Sequence, residues 1–507
     1  MKKCTLALAG STLTTAQASP AAASKIVVHP DAQFEISSYL YMQFMEPLGV
    51  TDSSVAAAWD YDADNWRKDF VETAQDLAPG VIRFGGLFSR YYRWREGVGP
   101  PDERPHMRNY VWGGFESNRV GTGEFVQLCR SAGAEPLYCV NFLSDGRREY
   151  WRRDRTGDAR EAADWVSYAN APDNSLRKAH GFSKPFNIKL WQLGNETSYG
   201  TGGFTRSEAV DRTIEFAAAM KKRDNSIQLI GWGDRSSGPG SPLWAGEMLD
   251  RAGQYLDFIA IHMMGQHPTR KNTVLKGLSY ERDPEQAWDE MLELSNQIEA
   301  RVVELEEIIR SRGSKARIAI TEGHLSLRPA NANPILREWL SAAYHARSMN
   351  IYQRHGALVK IATAADFCGT RWTSNAVMIQ VPRGVSYFLP AGSVMRLFKK
   401  YNGTRAVEVT SSPAELDIAA SRSRDEIFLH VANLSYARAV ATELAVEGRS
   451  IAGCRVIQIA PDNLRQRVDE VQPQVFRPVE ETLPSVLPVT CQFPAGSVSA
   501  VVIRLNN

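Results

Sequence analysis

Eight short apolar runs recur before about residue 370: Phe34 to Phe44, Val81 to Gly85, Pro136 to Asn141, Ile188 to Gly194, Ile227 to Trp232, Phe258 to His262, Ile318 to Thr321 and Leu358 to Ala365. Stretches of helical spacing separate most of them, among them Asp62 to Leu77, Ser207 to Lys222 and Pro284 to Arg312. A chain that alternates strand and helix in this way returns each strand parallel to the last, and eight such units close into a (β/α)8 TIM barrel. The pattern predicts that barrel over residues 34–400. Polar groups stand at or just beyond the strand ends: Glu46, Arg83, Asn141, Glu196, Asp234, His262, Glu322 and Asp366. In such barrels the strand ends converge on one face, where active sites are built.

Two of these ends carry most of the chemistry. Leu190-Trp191-Gln192-Leu193-Gly194-Asn195-Glu196 and Ile318-Ala319-Ile320-Thr321-Glu322-Gly323 are strand-forming runs that stop on a carboxylate, 126 positions apart (196 to 322). Glycoside hydrolysis needs such a pair, one group to protonate the departing oxygen and one to attack or stabilise the anomeric carbon. Asn195 places an amide beside the first glutamate, within reach of a sugar hydroxyl. A nucleophilic carboxylate must stay charged, which a nearby Arg favours, whereas the acid partner gains its proton from burial or from a second carboxylate. Arg83, inside an apolar strand, reads as a buried partner rather than a surface cation.

The 507 residues suit a large barrel plus a smaller unit. After about Asn402 helical spacing gives way to short alternating runs such as Glu426 to Val431, ending in Ser497 to Leu505. Residues 401–507 therefore read as an all-β sandwich, to which residues 25–33 add a strand. Fifty-nine Lys and Arg nearly balance 57 Asp and Glu, so no net field points to nucleic acid or to an anionic membrane. Beyond the N-terminus no segment approaches the roughly 20 apolar residues of a membrane span. Met1-Lys2-Lys3, the weakly apolar stretch after it and Ala16-Gln17-Ala18 have the order of a secretory signal over residues 1–18, which predicts a secreted or periplasmic protein. Apart from Cys4, five cysteines remain, at spacings that match no zinc or redox motif. Cys129 and Cys139 read as buried core thiols, and pairing of Cys454 with Cys491 is left open.

With strands and insertions placed, the chain resembles glycoside hydrolase family 51, the α-L-arabinofuranosidase family, over most of the barrel and in its sandwich-last layout. The resemblance is carried by Tyr92-Arg93-Trp94-Arg95-Glu96-Gly97-Val98-Gly99-Pro100, by Arg104-Pro105 and Phe115 to Phe125, and by Phe44-Met45-Glu46-Pro47-Leu48-Gly49. It implies Glu196 as acid/base, Glu322 as nucleophile, Asn195 as a hydroxyl ligand, Glu46 as a sugar ligand and Arg83 as the cation that keeps the nucleophile ionised. It implies a carbohydrate substrate, namely α-L-arabinofuranosides of plant-type polysaccharides or oligosaccharides, and neither metal nor other cofactor. A homo-oligomer is compatible with it. The chain departs from the family pattern at Leu87, at Met263-Met264, at Gly323-His324 and at Asp366, which stands where the family commonly places a sugar-binding glutamine. These departures predict an altered sugar pocket in which Asp366 grips a hydroxyl and another furanoside rivals the arabinofuranoside.

His262 and Trp94 join the candidate substrate-binding residues, the first at a strand end and the second in the insertion after strand two. Trp94, Trp112 and Trp372 offer stacking faces, against a background in which any one tryptophan packs a core. Three other readings remain: a glycosidase of another furanoside, a xyloside or a β-glucan; a barrel that binds sugar without cleaving it; and a metal site of His262, His267 and a carboxylate, whose spacing matches no ligand motif.

Overall fold

The computed structural model describes residues 25–142, 157–199, 203–236, 240–484 and 488–506. The candidate signal and Cys4 lie outside the described residues, as does part of the insertion after strand three. Among the described residues, eight parallel strands follow one another in chain order: Met42–Met45, Val81–Phe84, Glu135–Val140, Leu190–Leu193, Gln228–Trp232, Phe258–Gly265, Arg317–Leu325 and Val359–Ile361. The first and last meet through a parallel bridge between Tyr41 and Ala362, and Met42 N donates to Ala362 O at 2.8 Å, which closes the barrel. Inward side chains Met42, Leu137, Leu190, Ile230, Ala260, Ala319 and Ile361 fill its axis. The helices bury their apolar faces against the outside; Pro284–Ser311 does so with Trp288, Met291, Ile298, Val302, Leu305 and Ile309.

A second body of nine strands packs beside the barrel among the described residues, in the order Val479–Leu483, Ile451–Ile459, Val498–Leu505, Glu426–Asn433, Leu416–Ser423, Arg405–Ser411, Ile26–Glu35, Val440–Val446, Val489–Phe493. Its inward residues, from Ile26 to Leu505, form a separate apolar core. Helix Ala342–Arg354 lies against it, and polar ties cross the junction: Asn350 Nδ2 to Asp417 Oδ1 at 2.8 Å, Trp339 Nε1 to Gly496 O at 2.9 Å and Trp288 Nε1 to Leu434 O at 2.8 Å. Among the described residues no helix is long and apolar enough to cross a membrane.

The structure corrects three expected elements. The single strand expected over Phe34 to Phe44 is two: Phe34 and Glu35 pair with Ala406 and Arg405 in the sandwich sheet, and the barrel strand begins only at Met42. The eighth strand stops at Ile361, after which Asp366–Gly369 joins Asn375–Ile379 and Ser386–Phe388 in a small sheet at the barrel mouth. The helix expected from Asp62 begins at Lys68, because the Asp60 carboxylate accepts Asp62 N at 3.0 Å and Ala63 N at 3.1 Å and fixes a turn instead.

The mouth segment after the eighth strand hangs on one buried carboxylate. Asp52 accepts backbone N–H groups from Thr370 at 3.0 Å, Arg371 at 2.5 Å and Trp372 at 2.8 Å, and the Asn375 amide at 2.9 Å. Replacing it with alanine removes the acceptor of the Arg371 and Trp372 amides, while Thr370 N keeps Asp52 O at 3.0 Å, at a cost of about 2–4 kcal/mol. Thermal unfolding of Asp52→Ala should show a midpoint several degrees lower; an unchanged midpoint would mean that Trp372 is held by other contacts.

Candidate active site

At the end of the fourth strand the chain turns through two left-handed residues, Gly194 at φ 78° and Glu196 at φ 54°. A non-glycine residue held at positive φ stores strain, tolerated where the surroundings fix it. The turn returns the Glu196 carboxylate over the barrel axis. Glu322 arrives differently, from inside the seventh strand, where the pairing with the sixth slips by one residue: Ile261 opposes Ile320, but His262 opposes Glu322. That bulge re-aims both side chains toward the mouth.

Arg83 ties the strands together. Its Nε donates to Gln192 Oε1 at 2.9 Å, one terminal nitrogen to Glu322 Oε1 at 3.0 Å and the other to Asn195 Oδ1 at 2.6 Å. His262 stands between the glutamates, its Nδ1 3.0 Å from Glu196 Oε1 and 3.5 Å from Glu322 Oε2, with Nε2 3.2 Å from the Thr321 hydroxyl. Burial pushes this imidazole down to about 4, so it is neutral at ordinary pH. A neutral ring serves both states of Glu196, donating from Nδ1 to the carboxylate or accepting at Nδ1 from the acid. Behind it Asp234 accepts the His262 backbone N–H at 3.1 Å, the Tyr199 hydroxyl at 2.8 Å and Arg301 at 2.7 Å, which gives this strand-end acid a supporting part.

Burial raises both glutamates above the usual carboxylate range. Glu322 is pulled back by the Arg83 guanidinium bonded to it; the Glu196 charge pushes it further up. Glu196 feels Arg90 and Arg83 more weakly than it feels burial, and Asp234 adds to the upward push. An oxygen of each carboxyl and a ring nitrogen of His262 lie within 4.8 Å of one another. Such a trio could ligate a cation, but here the same atoms are engaged with each other and with Arg83, whose charge would face the ion. The donor set suits proton transfer better than metal binding.

Glu46, also buried, accepts from Phe88 N and Trp112 Nε1, each at 2.7 Å. Its carboxyl packs on Gly86, at φ 132°, where a Cβ would come within 2.2 Å of Oε2. Asp366 does not reach into the mouth unengaged: Oδ1 lies 2.7 Å from His324 Nδ1 in an ion pair, and Oδ2 accepts from the Ser374 hydroxyl at 2.8 Å. Burial alone would lower His324, but the Asp366 charge outweighs it and raises the imidazole. Trp94 stays apart from this group. Buried, it stacks on Trp165 at 6.2 Å, donates to Glu161 O at 3.0 Å and carries Arg95 over its face at 4.5 Å, so it packs the insertion rather than lining the mouth. Half-buried Trp112 and Trp372, edge to face at 5.4 Å, stand at the rim instead.

Sequence reasoning passed over Gln192, Arg90, Thr321 and His324 as parts of this network. Gln192 carried a signal, a polar side chain inside the apolar run Leu190-Trp191-Gln192-Leu193, on the same face as Leu190. The long motif after the second strand turns out to brace the loop: Arg104 donates to Gly99 O, Asn118 O, Arg119 O and the Glu124 carboxylate, and Glu116 accepts Gly49 N and Asn109 Nδ2. That scaffold delivers Trp112 to Glu46.

Burial raises the Glu46 carboxyl from 4.5 to about 8, with Glu322 adding repulsion. The folded chain therefore holds a proton that the unfolded chain releases near 4.5; this contribution to stability is full below that pH and is lost as pH rises through about 8. The stability of the protein should fall across that window, and Glu46→Gln, which keeps the acceptor for Phe88 and Trp112, should flatten the slope. Denaturant unfolding at pH 5 and pH 8.5 measures it; an identical slope in both proteins would contradict a protonated Glu46.

Residues 73–282 match the family model described as Alpha-L-arabinofuranosidase 1 domain. The chain is similar to an intracellular exo-α-(1→5)-L-arabinofuranosidase of Acetivibrio thermocellus, 35% identical over 239 residues that make up 45% of each chain. It is likewise similar to α-L-arabinofuranosidase C of Emericella nidulans, 34% identical over 219 residues, 40% of each chain. The match thus spans under half the length of these curated relatives. Among solved structures, an α-L-arabinofuranosidase from Thermotoga maritima in complex with arabinose superposes with a TM-score of 0.77 over 95% of this chain and 100% of that one, at 23% identity. A family 51 α-L-arabinofuranosidase from Bifidobacterium longum gives 0.80 over 95% and 99%, at 18% identity. The fold is that of these proteins, a TIM barrel with a C-terminal β-sandwich, and the resemblance read from the sequence is borne out.

Proposed function

We propose that this chain is a retaining glycoside hydrolase acting on α-L-arabinofuranosides of plant-type polysaccharides or oligosaccharides, with Glu322 as nucleophile and Glu196 as acid/base. One observation carries the reading: of two buried glutamates converging on the barrel mouth, one accepts a guanidinium hydrogen bond at 3.0 Å and the other faces a neutral imidazole at 3.0 Å. Two like charges this close do not both ionise readily, so the pair keeps a proton, and the cation decides where the negative charge settles. It settles on Glu322. Glu196 keeps the proton that a departing sugar oxygen needs. Carboxyl oxygens within 4.8 Å of one another suit the short separation of retaining enzymes rather than the roughly 6.5–9.5 Å that leaves room for a water in inverting ones.

In the first step Glu322 attacks the anomeric carbon as Glu196 protonates the leaving oxygen; the glycosyl ester is then hydrolysed by a water that Glu196, now a base, deprotonates. Asn195, fixed by Arg83, and Glu46, fixed by Trp112, stand where sugar hydroxyls would be held. His324 and Asp366 favour a second substrate, since this ion pair stands where the resemblance expects other groups. In this reading Asp366 acts through His324, and a second furanoside is turned over at a comparable rate.

Glu322→Ala should lose turnover by several orders of magnitude on every glycoside, with azide or formate restoring part of it at inverted stereochemistry. Glu196→Ala should keep the first step on aryl furanosides with good leaving groups and fail on natural linkages. Steady-state rates on the two substrate types decide it; near-native turnover in Glu322→Ala, or equal losses on both types in Glu196→Ala, would reverse the assignments.

A further inference from the structure

The five cysteines among the described residues are all buried, yet they do not share one environment. Cys139 has the Ser89 hydroxyl at 3.5 Å, Cys368 has the Ser54 hydroxyl at 3.6 Å, and Cys129 sits in the apolar barrel core. Cys454 and Cys491 instead have each other: both lie in the sandwich core, close enough that each thiol shifts the other. Their strands are not neighbours. Cys454 opposes Leu483 and Ile503 across its two ladders, Cys491 opposes Thr442, and Ile451–Ile459 and Val489–Phe493 lie near opposite ends of the strand order. A twisted sheet of this size folds back on itself, and its ends meet at a seam without a backbone ladder. A second side-chain contact marks the same seam, Gln458 Nε2 to Gln492 O at 3.4 Å.

We propose that Cys454 and Cys491 are a modification site, a thiol pair that low-molecular-weight disulfides such as oxidised glutathione convert to an intramolecular disulfide closing the sandwich seam. Cys454 as thiolate attacks one glutathione sulfur, forming a mixed disulfide and expelling a glutathione thiolate; Cys491 as thiolate then attacks the Cys454 sulfur and expels the second. The two protons lost by the cysteines end on the two glutathione thiols, and the two electrons reduce the glutathione disulfide. The neighbouring Cys491 thiol lowers Cys454, which favours Cys454 as the attacking thiolate. The link encloses the segment that docks on the barrel through Arg465 Nε to Glu338 Oε2 at 3.0 Å, Val468 N to Arg337 O at 3.0 Å and Phe476 against Trp339 at 4.8 Å. Restricting that loop in the unfolded chain stabilises the fold. This inference is independent of the catalytic reading.

The test uses the full-length protein held with excess oxidised glutathione a few degrees below its thermal midpoint, where local opening exposes buried thiols. It is then alkylated in denaturant and mapped without reduction. The expected product is a peptide pair joined through Cys454 and Cys491, with the thermal midpoint raised by several degrees and restored by dithiothreitol. Recovery of the two cysteines on separate peptides, alkylated or singly glutathionylated, would overturn the proposal. Cys491→Ala should leave Cys454 as a stable mixed disulfide with no rise in midpoint; a rise equal to that of the unaltered protein would also overturn it.

Discussion

A guanidinium with no exposed surface sits at the centre of this barrel, and the arrangement of the mouth depends on it. Taking Arg83 out of water costs several kcal/mol unless every nitrogen finds a partner. Here each does, and the partners come from the fourth strand, the turn after it and the seventh strand. The bidentate fork of an arginine fixes direction as well as distance, which a lysine could not do. Positioning of Glu322 and of the Asn195 amide beside Glu196 therefore follows from satisfying one buried cation.

Around that cation the site is a balance of buried charges. Glu46, Glu196 and Glu322 are all raised by burial, so none is a free anion in the way a surface carboxylate is. On the proposed reading Arg83 selects Glu322 for the negative charge; His262, lowered to about 4, adds hydrogen bonds without adding charge. His324 and Asp366 pair with one another, Asp366 being held by Ser374 from the turn before the strand Asn375–Ile379. On the proposed reading, the pocket would meet a neutral sugar with oriented donors and acceptors and one anion, as a double displacement requires.

The barrel was legible because periodicity and strand-end polarity agree with each other over eight repeats. Glu196, Glu322, Arg83, Asn195, Glu46 and His262 converge because barrel topology brings every strand end to one rim, whatever the sequence distance. The missed features are those where a local bond overrides a pattern. Asp60 caps a turn where the apolar spacing still suggests helix, and Phe34 joins the sandwich although its run continues to Phe44. Trp94 shows the limit of composition: its indole suits a sugar, but Trp165 and Tyr168 enclose it. Neither the His324 to Asp366 pairing nor the bond from Trp112 to Glu46 has a sequence signal, since each joins segments far apart in the chain that meet only in three dimensions.

The central claim is that the charge of the pair rests on Glu322 and is used for attack. Peptide mapping after reaction with a mechanism-based aryl furanoside inactivator, which leaves the glycosyl group on the attacking oxygen, addresses it directly. The account predicts one glycosyl group per chain, esterified to Glu322, with labelling slowed when Arg83 is replaced by lysine. A label on Glu196 or Glu46, or turnover with inversion and no covalent species at all, would contradict it.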